Sequence, residues 1–247
     1  MNIEEYNSRL VKICRKKKMH LKKIGEVKKF PIYSISNSRK NLRTICFCAG
    51  IHGDEIAPSL AVLDFIENFD FNKLKNLNVV FIPIANPTGF RQNKRRNHRN
   101  IDLNRHFSDE RLRGENKMIY NYLKKFKIYF FCSLHEDSDE RSFYLYGFEG
   151  VDKKIYEQII KLSKRFFLSK QKCVLLNGKC LKGQDPKNGI IMIMKNSEND
   201  GSIESRFFED GIKFLLCTET PEKADLQERI NLNKKIIEEV IKISSKL

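Results

Sequence analysis

Two histidines and a glutamate set the chemical question: His52 and Glu55 in His52-Gly53-Asp54-Glu55, and His135 in His135-Glu136-Asp137, each motif directly after an apolar run. Two imidazole nitrogens and one carboxylate, with a fourth position left to water, are the ligand set of a catalytic zinc. The bland alternative is a metal-free hydrogen-bonded polar cluster. A lone histidine is more often structural than ligating, so His20, His98 and His106 are left unassigned. Glu219 adds a carboxylate that could face the metal without joining it; otherwise it is a strand-end glutamate paired with a lysine. Zinc brings the pKa of a water toward neutrality, and a carboxylate beside it can take the water's proton and return it to a leaving nitrogen. The dense basic stretch Arg91-Gln92-Asn93-Lys94-Arg95-Arg96-Asn97-His98-Arg99 supplies cations for a developing oxyanion and for a substrate carboxylate.

These residues need a scaffold, and the sequence predicts strands and helices in alternation. An amphipathic helix opens the chain, with Ile3, Tyr6, Leu10 and Ile13 at helical spacing. Strands are predicted at Phe30 to Ser36, Thr44 to Ala49, Asn78 to Ala85, Ile128 to Leu134, Phe143 to Gly147, near Val174, at Ile190 to Met194 and at Lys213 to Thr218. Helices are predicted at about Ala57 to Asn68, Glu115 to Phe126, Lys153 to Phe167 and Ala224 to Ile243, with a helical turn before Gly211 and a chain turn at Asn86-Pro87-Thr88-Gly89. Continuous apolar runs such as Ile128 to Leu134 indicate a buried sheet. The fold class is therefore α/β: a single domain with a mixed, mostly parallel sheet and helices on both faces. Its catalytic core would span 30–221, flanked by a basic N-terminal helical extension (1–29) and a C-terminal helix (222–247). In open α/β sheets, sites form beyond the carboxyl ends of strands. His52, Glu55, His135 and Glu219 all fall there.

Composition bounds the function. The chain has 247 residues, 40% hydrophobic and 32% charged, which is globular, and no long apolar run suggests a membrane span. No secretory signal is visible, which makes a cytoplasmic location the default. Seven cysteines without a Cys-x-x-Cys pair read as reduced thiols, mostly buried, with Cys46 and Cys48 on one face of a strand. The net charge of +16 is largely diffuse lysine on solvated faces, as at Lys16 to Lys23, taken as helix or helix end.

At this point the residues resemble the zinc carboxypeptidase superfamily (carboxypeptidase A-like, phosphorylase/hydrolase-like fold), including its succinylglutamate desuccinylase and aspartoacylase branch. The resemblance runs from Phe30 to Pro221 and rests on ordered pieces: Ala49 to Glu55, Asn86 to Gly89, Arg95 to Arg105, Leu134 to Asp137, and Thr218-Glu219-Thr220-Pro221. It implies one zinc per chain held by His52, Glu55 and His135, with Glu219 as general acid/base. Arg95, or its rival Arg96, would polarise the scissile carbonyl. Asn104 and Arg105 would grip a substrate carboxylate, which suits a forked guanidinium. Asp102 would orient the first zinc histidine and fix its tautomer.

The segment Gly201-Ser202-Ile203-Glu204 looks like the part of carboxypeptidases that lines the specificity pocket, placing Ile203 or Glu204 near its floor. If Glu204 is the floor residue, a substrate with a cationic group is expected; otherwise Glu204 is a surface glutamate in a first helical turn. Digestive carboxypeptidases carry a mobile tyrosine before the catalytic glutamate, and Met194-Lys195-Asn196-Ser197 holds none. Tyr144 and Tyr146 are read as pocket walls or core. The resulting expectation is a zinc-dependent amide hydrolase, either metallocarboxypeptidase or deacylase, acting on a peptide or N-acyl amino acid with a free carboxylate. The alternative is a catalytically silent anion- or nucleic-acid-binding protein on the same fold.

Overall fold

A computed structural model describes residues 1–38, 42–74, 76–167, 175–176, 179–180, 189–195 and 199–246. Helices α1 (Ile3–Lys16), α2 (Ile56–Asn68), α3 (Pro87–Gln92), α4 (Gly114–Leu123), α5 (Lys153–Ser163), α6 (Ile203–Glu209) and α7 (Leu226–Lys246) surround a sheet. Its strands are β1 (His20–Val27), β2 (Phe30–Ser36), β3 (Arg43–Ala49), β4 (Leu77–Ile82), β5 (Ile128–Asp137), β6 (Tyr144–Phe148), β9 (Ile190–Ile193) and β10 (Phe214–Pro221). The short strands β7 (Leu175–Leu176) and β8 (Lys179–Cys180) pair separately.

Strand order in the eight-stranded sheet is β1-β2-β4-β3-β5-β10-β6-β9. The centre, β4-β3-β5-β10, is parallel, as is the β6-β9 pair, and the remaining pairings are antiparallel. The mixed sheet matches the α/β expectation. Alternation along β3 divides the core: Ile45, Phe47 and Ala49 pack with α1, α2, α5 and α7, whereas Cys46 and Cys48 face α4 and α6. Cys14, Cys46, Cys48, Cys132 and Cys217 are buried free thiols; Cys173 and the Cys180 side chain lie outside the described set. Val174 does too, but the short strand expected near it is β7.

Two elements depart from the sequence reading. The stretch around Lys22 and Lys23 is the edge strand β1, not a helix end, and its hairpin with β2 turns through Lys28 and Lys29 at φ +49° and +67°. Such two-residue turns normally announce themselves as Asn-Gly. Two lysines in that conformation hide the hairpin, and charged side chains along an exposed edge hide the strand. Residues 1–29 therefore contribute a sheet strand as well as a helix. The turn at Asn86 to Gly89 is instead the start of α3, with Pro87 in its first turn and the Asn86 side chain accepting from Gly89 N at 2.9 Å. Among the described residues no helix is long and apolar enough to cross a membrane.

Candidate metal centre and active site

The adjacent strands β3, β5 and β10 end side by side, and β3 and β5 flank the point where successive connections run to opposite sides of the sheet. Beyond β3 the chain must turn at once to bring His52 over the strand ends. Gly50 does this at φ +61°, where a Cβ would lie 3.2 Å from Ile84 Cα and 2.8 Å from Ser59 Oγ. Gly53 then passes so close to α3 that a Cβ would stand 2.0 Å from Gly89 C. The loop is zipped to its neighbour by Ala85 N to Ala49 O (3.0 Å) and Asn86 N to Gly50 O (2.8 Å). The Asn86 amide also donates to Arg95 O at 3.2 Å, which ties the basic loop to the same frame.

His52, Glu55 and His135 converge as expected, with ligand atoms within 4.8 Å of one another and all three residues buried. Glu55 Oε1 is 2.5 Å from His52 Nδ1, and Glu55 Oε2 is 2.8 Å from His135 Nδ1. On its other side His52 Nε2 is 3.2 Å from Asp102 Oδ1, the orienting contact expected for Asp102. Two Nδ1 atoms and a carboxylate gathered around one buried point, with an Nε2 atom committed outward, make a donor set that fits zinc. Burial alone would raise the Glu55 carboxyl, but His52 and His135 hold it well below the usual range. Burial opposes the charged form of His135, yet Glu55 and Glu204 push its pKa well above the ordinary imidazole value.

Glu219 sits on β10 in register with His135 and opposite Tyr144 on β6. Burial raises its pKa well above the ordinary carboxyl value; His135 opposes this, and Glu55, Asp137 and Glu204 add to it. Tyr144 is buried and its hydroxyl donates to Asp137 Oδ2 at 2.7 Å, so it is a wall of this end of the sheet.

Of the two arginines proposed to polarise a carbonyl, Arg95 is in the site. Its Nε donates to Asp102 Oδ2 at 3.0 Å, one terminal nitrogen lies 3.7 Å from Glu55 Oε1, and 44% of its side chain is exposed. Arg96 is exposed and donates to Asn100 O. The rest of the basic stretch is a built turn: buried Asn97 accepts from Arg99 N and Ile101 N and donates to Glu115. Arg105 is 44% exposed, bonded to Asn104 O at 2.7 Å and 3.4 Å from Asp200 Oδ2, which leaves its fork reachable by a ligand.

Two residues expected on the substrate face inward instead. Asn104 is 6% exposed; its Oδ1 accepts from Ile203 N at 3.0 Å and its Nδ2 donates to Glu204 Oε2 at 3.2 Å. Glu204 is 4% exposed, and its Oε1 is 3.3 Å from His135 Nε2. It is neither an open pocket floor nor a surface glutamate, although it does lie in the first turn of α6. Ile203 is fully buried in the core beneath it. Asp200, which pairs with Arg105, and the Asn104–Glu204 bond were not read from the sequence. Their partners are far apart in the chain and no local pattern links them. Of the segment lacking a tyrosine, Asn196 and Ser197 lie outside the described residues.

The model for the succinylglutamate desuccinylase/aspartoacylase catalytic domain matches residues 41–140, the stretch that carries all three candidate metal ligands. Among solved structures, the chain is similar to a candidate metallopeptidase from Shewanella denitrificans OS217 (TM-score 0.83, 22% identity, 97% of this chain and 89% of that one). It is also similar to a metallo-carboxypeptidase from Burkholderia cenocepacia (TM-score 0.73, 14% identity, 98% and 69%). A third similar structure is bovine thrombin-activatable fibrinolysis inhibitor in complex with tick carboxypeptidase inhibitor (TM-score 0.69, 16% identity, 100% and 97%). No curated protein matches the sequence. At these identities the structural likeness speaks for the fold alone.

Proposed function

We propose that the chain is a member of the zinc carboxypeptidase-like superfamily and a zinc-dependent hydrolase that cleaves an amide C–N bond in a peptide or N-acyl amino acid bearing a free carboxylate. The observation that carries this reading is the meeting of His52, Glu55 and His135 beside Glu219 at the ends of adjacent strands. One zinc ion, when bound, would supply Lewis-acid polarisation and a more acidic water.

The protein's own groups supply the rest. Glu219 stands on the strand beside His135, where a carboxylate can accept the proton of an attacking water and deliver it to the departing nitrogen. Its raised pKa makes it a stronger base than an ordinary surface carboxylate, as this double duty requires. Arg95, held by Asp102 at the rim, is placed to donate to the carbonyl oxygen as negative charge develops there. Arg105 is placed to take the substrate carboxylate, with Asp200 keeping the guanidinium oriented between turnovers. Asn104 turns its amide inward, to Ile203 N and Glu204, and leaves the substrate carboxylate to Arg105.

The zinc-loaded protein, assayed against N-acyl amino acids and short peptides, should hydrolyse those with a free carboxylate. Methyl esterification of that carboxylate should raise KM at least tenfold, and Arg105→Ala should remove the discrimination. A metal-free protein that binds DNA or RNA with a steep salt dependence would contradict the reading and favour the anion-binding alternative.

A further inference from the structure

The two metal-facing histidines have matching surroundings, and only one half of the match was anticipated. Each turns Nδ1 toward Glu55 and Nε2 toward a second carboxylate: Asp102 for His52 at 3.2 Å, Glu204 for His135 at 3.3 Å. The two outer carboxylates are joined through Asn104. Its backbone N–H donates to Asp102 Oδ1 at 3.0 Å, and its side-chain amide donates to Glu204 Oε2 at 3.2 Å. The amide's orientation is fixed, because its oxygen accepts from Ile203 N while its nitrogen donates to the carboxylate. A closed hydrogen-bonded ring results: Glu55, His52, Asp102, Asn104, Glu204, His135 and back to Glu55.

We infer that Glu204 is a positioning residue for metal binding, holding His135 as Asp102 holds His52, and that Asn104 couples the two instead of binding substrate. This rests on the proposed zinc site. A buried carboxylate is costly unless it is bonded, and Glu204 spends both oxygens within this ring. An outer carboxylate fixes the imidazole's tautomer and orientation, leaving Nδ1 with the lone pair that a metal needs. The α6 segment is locked in place for this duty. Phe107 N donates to Gly201 O at 2.8 Å, and Gly201, at φ +79°, passes so close that a Cβ would lie 2.5 Å from Arg105 O. The segment that resembles a specificity pocket is therefore used here as a brace for the second histidine.

The test is zinc affinity of the full chain, measured by competition with a chromophoric chelator for wild type, Glu204→Gln, Asn104→Ala, His135→Ala and, as control, Glu209→Gln at the exposed end of α6. Glu204→Gln and Asn104→Ala should each bind one zinc with roughly 10- to 100-fold weaker affinity, and Glu209→Gln should match wild type. Long-range nitrogen–proton correlation spectra of zinc-loaded wild type should show the His135 proton on Nε2, a readout independent of whether any variant folds. Wild-type affinity in both ring variants, or a His135 proton on Nδ1, would overturn the inference while leaving the zinc site standing. A rise in KM with unchanged zinc affinity in Asn104→Ala would return that residue to the substrate. Cys217 offers a sulfur within 4.8 Å of the His135 and Glu204 ligand atoms. Two zinc ions per chain, with one lost in both Glu204→Gln and Cys217→Ser, would make Glu204 a ligand and overturn the positioning role. Zinc absent from wild type and insensitive to His135→Ala would instead sink the zinc reading itself, and this inference with it.

Discussion

His135 and Glu55 show how the site sets its own pH dependence. Glu55 is held ionised between two imidazoles, whereas His135, between Glu55 and Glu204, favours its protonated form to a higher pH than a free imidazole. A proton and a metal ion compete for the same Nδ1 lone pair, so a raised His135 pKa makes metal binding weaken as pH falls. Zinc affinity should drop by about tenfold per pH unit for each proton displaced, from a pH above the ordinary imidazole range downward. Chelator competition at a series of pH values checks this, and a flat profile would contradict it. Glu219 carries the opposite liability: a buried carboxylate with a raised pKa is destabilised when ionised. Glu219→Gln should therefore leave the thermal midpoint at or above that of wild type, as read by calorimetry; a clear drop would mean that its charge supports the fold. At this scale the sequence was legible where ligand types and spacing are local, as for His52 and Glu55. It was not legible for Glu204, because the distinction between a pocket floor and the back of a histidine depends on a contact spanning 69 positions.

Among the elements, the loop from Gly50 to Glu55 does most of the positioning, and its glycines are the exposed weakness. Gly53→Ala would drive a methyl into the Gly89 backbone, an overpacking strain of about 1–3 kcal/mol. It should lower both the melting temperature and zinc affinity, because the same loop carries His52 and Glu55; equilibrium unfolding with a metal titration separates the two effects. Unchanged affinity would show that the loop tolerates a shift without moving its ligands. Removing the Asn86 cap by Asn86→Ala should cost about 0.5–2 kcal/mol in chemical denaturation and loosen Arg95, whose carbonyl Asn86 also holds. Full wild-type stability would contradict that role. The central strands and long helices were readable because apolar runs and helical spacing are strong local signals. β1 was not, since a charged edge strand that ends in a Lys28-Lys29 turn has neither alternation nor a turn residue to mark it.

For the whole molecule, the site gathers side chains from β5 and β10 and from the loops that follow β3 and α3, so metal binding and folding are linked. Zinc at a hundredfold excess over its Kd should stabilise the chain by about 2.7 kcal/mol. At roughly 2–4 °C per kcal/mol for a chain of this size, that is a shift of about 5–10 °C, reversed by chelation. No shift would mean that the ligand residues meet for another reason. The fold class and the order of the motifs were legible from sequence because each motif directly follows a strand that the apolar pattern reveals. The closure of the ring through Asn104 was not, since it joins the loop after α3 to the start of α6. The most direct test of the central claim is the turnover of a carboxylate-bearing amide by zinc-reconstituted wild type and Glu219→Gln side by side. Zinc-dependent hydrolysis by wild type is expected, with a loss of about 10²- to 10⁴-fold in the variant and one zinc retained by both. Equal turnover in the two proteins, or none by zinc-loaded wild type across peptides and N-acyl amino acids, would contradict it.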